Sequence, residues 1–260
     1  MLSKNQIKYI NALKIKKFRQ QYGIFLVEGE KCVDELLHSS LEITGVYALP
    51  DWLQEHSRLL KARSISFTEI DETILEKISD LTTPNKVLAL AKVPEPAMLP
   101  DVYNSYCLAL DNIKDPGNMG TIIRTADWFG IRRIICSPGC VDVFNPKVIQ
   151  STMGSFTRVS VFQMDLIQFI KQRPKDTPVY GALLQGRNLH QVAFNEAGIV
   201  VIGSESHGIS AGLLPLVTQA IYIPPFNING AISAAESLNA SIANAIICYE
   251  ISKQLSEKKS

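Results

Sequence analysis

Apolar positions along the first 93 residues switch repeatedly between two periods. Ile7, Ile10 and Leu13 recur at helical spacing with lysines between them, whereas Ile24-Phe25-Leu26-Val27 is a short continuous apolar run that reads as a buried strand. Val33, Leu36 and Leu37 return to helical spacing. The alternation continues through Ile43 to Leu49, Asp51 to Ala62 and the segment around Ile65. Asp71 to Leu81 predicts a helix with Asp71 as its N-cap, and Lys86 to Val93 predicts a further strand. Pro94, Pro96 and Pro100 then interrupt the pattern. Proline donates no backbone hydrogen bond and restricts the residue before it. The pattern therefore divides into a small α/β domain at 1–93, a linker at 94–104 and a second domain at 105–260.

The second part is more apolar. Tyr106 to Leu110, Arg133 to Cys136, Val159 to Val161, Val179 to Leu184, Ile199 to Ile202 and Ile221 to Ile223 are strand-like runs. Helical patterns fall at Gly120 to Phe129, Pro146 to Met153, Leu166 to Gln172 and Ala211 to Gln219. Continuous apolar strands alternating with amphipathic helices predict an α/β domain with a mostly parallel sheet. Ligands of such sheets bind beyond the carboxyl ends of the strands, so the loops that follow strands carry the chemistry.

Bulk composition narrows the class. Of 260 residues, 46% are hydrophobic and 20% charged, as in a globular protein. No apolar stretch reaches the ~20 residues of a membrane span and no signal-peptide run opens the chain, so a cytoplasmic protein is expected. Cys32, Cys107, Cys136, Cys140 and Cys248 are odd in number and form no disulfide framework. They read as reduced, buried residues, and no metal is expected. Net charge is +1, yet Lys4, Lys8, Lys14, Lys16, Lys17 and Arg19 all precede the first acid, Glu28. This block is either a solvated helix face or a phosphate-binding surface.

Three loops that follow strands stand out. The first runs from Leu110 to Arg124, with Asn118 suited to cap the helix and Arg124 six residues on. An asparagine at a helix start and a nearby arginine can address one anion, although a capped helix with a surface arginine fits equally well. The second, Gly203-Ser-Glu-Ser-His-Gly208, holds one acid, Glu205, between two glycines. Ser206 and His207 do not make a hydrolase, because the turn lacks the G-x-S-x-G elbow. The third runs from Ile223 to Ser241 and places Ser237 and Asn239 at or near the start of a final helix. Ala240, Ser241, Ala243 and Ala245 would let that helix pack closely.

Taken in order, Asn112 to Arg124, Gly203 to Gly208, and Ile223-Pro224 with Glu236 to Ser241 resemble the three motifs of the SpoU/TrmH family of RNA 2′-O-ribose methyltransferases. The resemblance spans about residues 105–255. Lys17 to Gly29 resembles the small ribosomal-protein-like, RNA-recognition domain that often precedes this catalytic domain. The resemblance implies an α/β fold with a deep trefoil knot near the C-terminus and S-adenosylmethionine held in the knotted loops. It places Gly203, Ile223 and Leu238 at the cofactor, and Asn118, Arg124, Glu205, Ser237 and Asn239 among the catalytic positions. It assigns RNA contacts to Lys14, Lys16, Lys17 and Arg19 and implies a homodimer. Ribosomal RNA is favoured over transfer RNA. Ser206 stands where the family usually has glycine, and the third motif is longer than usual, with Pro225 where methionine is common.

These residue types suit the reaction. A ribose 2′-hydroxyl must be aligned with the methyl group, and positioning of this kind can lower a barrier by roughly 7–11 kcal/mol. A fixed guanidinium beside the hydroxyl favours the alkoxide while itself staying protonated. Arg124 is therefore expected to stabilise the oxyanion while a phosphate or water takes the proton. Asn118 would orient Arg124 or the ribose. Glu205, Ser237 and Asn239 would hold loops and substrate. The rival readings are a non-catalytic RNA-binding protein of the same fold and a base methyltransferase, which Arg124 and the Glu236-Ser-Leu-Asn239 motif argue against.

Overall fold

The computed structural model describes residues 2–95, 102–225 and 236–258. Much of the expected linker and the middle of the third loop lie outside these residues. The chain forms two compact units, one of Met1–Pro96 with Asp142–Arg158 and one of Ala97–Val141 with Val159–Ser260.

The first unit contains α1 (Lys4–Ala12), α2 (Lys16–Tyr22), β1 (Ile24–Glu28), α3 (Glu30–Leu37), β2 (Ile43–Ala48), α4 (Pro50–Ala62), β3 (Phe67–Glu69), α5 (Glu72–Ile78) and β4 (Val87–Lys92). Local signals explain the helix starts. Ser3 and Gln6 form a reciprocal capping box on α1, and Asp71 accepts from the Ile74 amide at α5. The sheet order is β1-β4-β2-β3, antiparallel except for β2 with β3. β1 is buried along its whole length because both faces are covered. Phe25 and Val27 join a core with Val33, Leu36, Trp52 and Leu60, while Ile24 and Leu26 join another with Ile10, Leu13, Leu75 and Ile78. This is the period-2 alternation of a strand applied to two apolar layers.

A segment distant in sequence completes the first of these cores. Helix α7 (Pro146–Thr152), which the pattern placed among the helices of the second domain, sends Ile149 into it. Phe144 and Phe156 pack on Phe25 at ring-centroid distances of 4.7 and 6.0 Å.

The second unit contains β5 (Tyr106–Leu110), α6 (Pro116–Trp128), β6 (Arg133–Cys136), β7 (Ser160–Gln163), α8 (Leu166–Lys171), β8 (Val179–Asn188), β9 (Gly198–Ile202), β10 (Gln219–Tyr222) and α9 (Ala240–Glu257). Its six strands lie in the order β10-β8-β9-β5-β6-β7, and every pairing is parallel. The expected parallel sheet is therefore present, with β5 and β9 fully buried at its centre. One expected helix is absent: Ala211 to Gln219 holds only a 3-10 turn at Leu214–Leu216. Pro215 sits inside that stretch and blocks an α-helical ladder. From β5 the chain steps outward to β6 and β7, then crosses to the other side with β8, β9 and β10. The strand order thus reverses between β5 and β9, the switch point where open α/β sheets bind ligands.

Candidate active site

The loop after β5 and the turn after β9 emerge at this switch point. Asp115, not Asn118, caps α6: its side chain accepts from the Asn118 amide at 2.8 Å. The expected cap is thus corrected, and the reason is local. Pro116 takes the first helical position, where a missing N–H costs nothing, so the cap falls on the residue before it. Asn118 stands third in the helix, and its side-chain amide is left to act elsewhere.

The turn after β9 folds back on itself. Ser204 and Gly208 exchange both backbone hydrogen bonds, at 2.8 and 3.1 Å. A Cβ on Gly203 would lie 2.1 Å from the Gly208 carbonyl carbon, so only glycine fits there. Gly208 adopts φ +65°, the left-handed region. The tip carries Glu205, Ser206 and His207, all exposed, with the Ser206 hydroxyl 2.7 Å from His207 Nδ1.

The third loop enters α9 at Asn239, which is the N-cap. Its Oδ1 accepts from the Ser241 amide at 2.9 Å and the Ser241 hydroxyl at 2.6 Å.

These three loops converge on one carboxylate oxygen. Glu205 Oε1 accepts from Asn118 Nδ2 at 2.9 Å, from Asn239 Nδ2 at 2.6 Å and from the Ala240 amide at 3.4 Å. Asn239 Nδ2 also donates to Asn118 Oδ1 at 2.9 Å, closing a triangle. The carboxylate faces the amino end of the 18-residue helix α9, whose dipole favours an anion. A cavity of about 210 Å³ lies beside the triangle, lined by Asn112, Lys114, Asn118, Glu205, Ser206 and Ala240 among others.

Arg124 is not part of this network. It lies on α6 and is exposed, and its side chain has no hydrogen bond or ion pair among the described residues. At 3.6 residues per turn, six positions turn the helix by about 240° from Asn118, so the two side chains leave different faces. Trp128, one turn further on the Arg124 face, is 85% exposed. Ser237 is also exposed and makes no hydrogen bond among the described residues. Of the expected cofactor residues, Gly203 and Ile223 follow directly on β9 and β10, at the same carboxyl edge of the sheet. Leu238 is 46% exposed, an uncovered apolar surface beside the Asn239 cap. Small and apolar groups at that edge suit an adenosine or a thioether.

The basic block is used differently. Arg19 is buried; its guanidinium donates to Asp142 at 3.0 Å and to the carbonyls of Leu13 and Lys14. The expected RNA contact by Arg19 is therefore corrected, since its donors are spent inside the first unit. Lys14 bonds the Ser79 carbonyl at 2.7 Å, whereas Lys16 and Lys17 are exposed.

Sequence reasoning missed Asp111. It is 3% exposed, and its carboxylate accepts from Asn112 Nδ2 at 2.8 Å and from the Ser210 amide at 2.7 Å. The one available signal was its position, the first acid after an entirely apolar strand. All five cysteines are buried and free. Burial pushes the Cys107 and Cys248 thiols up to about 12, while a hydrogen bond with Cys136 holds Cys140 down to about 7.

A model of the SpoU rRNA methylase family matches residues 105–249, and one of an MRM3-like substrate binding domain matches residues 4–89. The chain is 30% identical over 252 residues to the 23S rRNA (guanosine(2553)-2′-O)-methyltransferase RlmP of Bacillus subtilis, covering 96% of this chain and 97% of the relative. An RNA methyltransferase of the TrmH family from Porphyromonas gingivalis superimposes with a TM-score of 0.83 at 35% identity, covering 96% and 98% of the two chains. An AdoMet-bound rRNA methyltransferase from Sinorhizobium meliloti gives 0.84 at 27% identity, covering 98% and 97%. Together with the three loops converging on Glu205, these matches lead to one conclusion: the chain belongs to the SpoU rRNA methylase family.

Proposed function

We propose that this chain methylates the 2′-hydroxyl of one ribose in ribosomal RNA, with S-adenosylmethionine as donor. The observation that carries the reading is the Asn118–Glu205–Asn239 triangle at the sheet's switch point, which joins all three motif loops. The bound cofactor would supply an electrophilic methyl group on a sulfonium, a leaving group that needs no acid. Gly203, Ile223 and Leu238 hold it. Glu205, fixed by three donors, acts as the clamp of the loops rather than as the base.

Arg124 stabilises the developing alkoxide. With Arg124 beside it, the ribose hydroxyl would be held in line with the methyl group and its proton would pass to an RNA phosphate or a water. Because Arg124 and Trp128 point out from α6, this arginine serves a site completed by a second copy of the chain. Exposed Ile242 and Tyr249, two turns apart on α9, add further uncovered apolar surface and support a homodimer. Residues 105–260 act as the methyltransferase domain and carry the trefoil knot expected of the family. Residues 1–93 bind RNA, through Lys16 and Lys17 in particular. The protein works in the cytoplasm.

The test is a map of ribose methylation in ribosomal RNA from cells with and without this chain. One site is expected to lose its 2′-O-methyl group when the chain is removed. An unchanged map overturns the reading.

A further inference from the structure

We propose that Asp111 is a positioning residue that, with Asn112, ties the loop after β5 to the turn after β9 and so sets where Asn118 meets Glu205. The proposal rests on the functional reading above only for what the positioned groups do.

The geometry is that of a strap across the switch point. The Asp111 amide donates to the Ile202 carbonyl at 2.9 Å, which extends the β5–β9 ladder by one bond to the point where the two loops part. Beyond that bond, one carboxylate oxygen takes the Ser210 amide at 2.7 Å and the other takes Asn112 Nδ2 at 2.8 Å. Ser210 lies two residues past Gly208, which closes the turn whose tip is Glu205. Asn112 lines the cavity beside Asn118 and Glu205.

Asn112 is itself fixed from three sides. Its backbone adopts φ +58°, a conformation that asparagine and aspartate tolerate better than other non-glycine residues. Its amide donates to the Ser137 hydroxyl at 2.9 Å. Its side-chain oxygen rests where a Cβ on Gly139 would stand, 1.9 Å away. The loops after β5, β6 and β9 thus meet at the Asp111–Asn112 pair.

The charge type is informative. A carboxylate 3% exposed with no cationic partner among the described residues is costly to bury, and a fold needing only shape would do as well with an apolar side chain. What a carboxylate offers here is two acceptors and no donor, facing two N–H groups that both point at it. An asparagine in its place sets an amide N–H against one of those donors.

This gives a test by exchange. Asp111→Asn alone puts two donors face to face, and Asn112→Asp alone puts two carboxylates together. The double variant restores one donor and one acceptor between the positions and leaves an oxygen for the Ser210 amide. Three quantities are measured on the full chain: thermal midpoint, S-adenosylmethionine affinity by calorimetry, and methyl transfer to ribosomal RNA.

Each single variant is expected to lower kcat on the order of 10–100-fold, the size of effect that small misplacements produce, with a smaller change in RNA KM. The double variant is expected to recover most of the loss, a coupling that independent sites do not show. If Asp111→Asn does not fold, Asn112→Asp against the double variant makes the same comparison. Full activity in the single variants, or a double variant no better than the product of the two, overturns the proposal. If the wild-type chain transfers no methyl group, the functional reading fails alone. Amide exchange at residues 203–210, faster in Asp111→Asn and restored in the double variant, then decides the strap; unchanged exchange overturns it.

Discussion

The two units spend their charged and polar side chains in opposite ways. In the first, two of the four basic residues expected to meet a ligand are consumed by the fold, Arg19 by Asp142 and two carbonyls and Lys14 by Ser79, while Lys16 and Lys17 stay exposed. In the second, residues scattered over more than a hundred positions, Asn118, Glu205 and Asn239, are gathered at one loop edge with little burial, and Arg124 has no partner among the described residues. A charge run in sequence reports composition. It does not report which members a distant acid will claim. Polar residues placed just after buried parallel strands are delivered to one edge by the topology itself, so their convergence follows from the fold.

The contrast is open to test at several points. The largest expected effect is at Arg124. Arg124→Ala should lower kcat by at least about 10²–10³-fold, the loss seen when a preorganised oxyanion donor is removed. S-adenosylmethionine affinity, read by calorimetry, should hardly change. A loss of cofactor affinity would instead place Arg124 at the cofactor. Next is Arg19→Met, which leaves the partly buried Asp142 against an apolar stem. Removing one partner of a buried pair costs about 3–5 kcal/mol, read by chemical denaturation. A loss of RNA affinity with unchanged stability would reverse the assignment of Arg19 to the fold.

Lys16→Ala with Lys17→Ala should weaken RNA binding while leaving kcat at saturating RNA unchanged, and should reduce the salt dependence by about one phosphate contact per lysine. A salt titration of RNA affinity measures it. The smallest effect concerns Glu28. Burial raises its carboxyl above the ordinary 4.5, outweighing the hydrogen bonds from Ser79 and Asp80. The native state therefore holds a proton that the unfolded chain has released, and stability falls as pH rises through the window above 4.5. Glu28→Gln should flatten that slope in melting curves taken across this range.

The element pattern shows how far sequence carries. The parallel sheet was readable because strands buried on both faces leave uninterrupted apolar runs such as Tyr106 to Leu110. The first two motif loops were readable because each follows such a strand, and the third because it follows the short apolar run at β10 and leads into the final helix. Other features depended on pairings that no local pattern records. Asp142 claims Arg19 across 123 positions, and Ile149 enters a core whose other buried members lie before residue 92. Local chemistry also misled twice. Asn118 looked like a cap until Pro116 shifted the helix start to Asp115. The apolar spacing of Ala211 to Gln219 looked helical despite Pro215. Asp111 was passed over because an acid after a strand is ordinarily solvated.

The most direct test is chemical. Purified chain, unmethylated ribosomal RNA and S-adenosylmethionine labelled in its methyl group are combined, and the RNA is hydrolysed in alkali. Label is expected on the ribose of one nucleotide, in a dinucleotide that resists alkaline cleavage because its 2′-oxygen is capped. Label on a base, or none in RNA despite bound cofactor, would contradict ribose methylation by this chain.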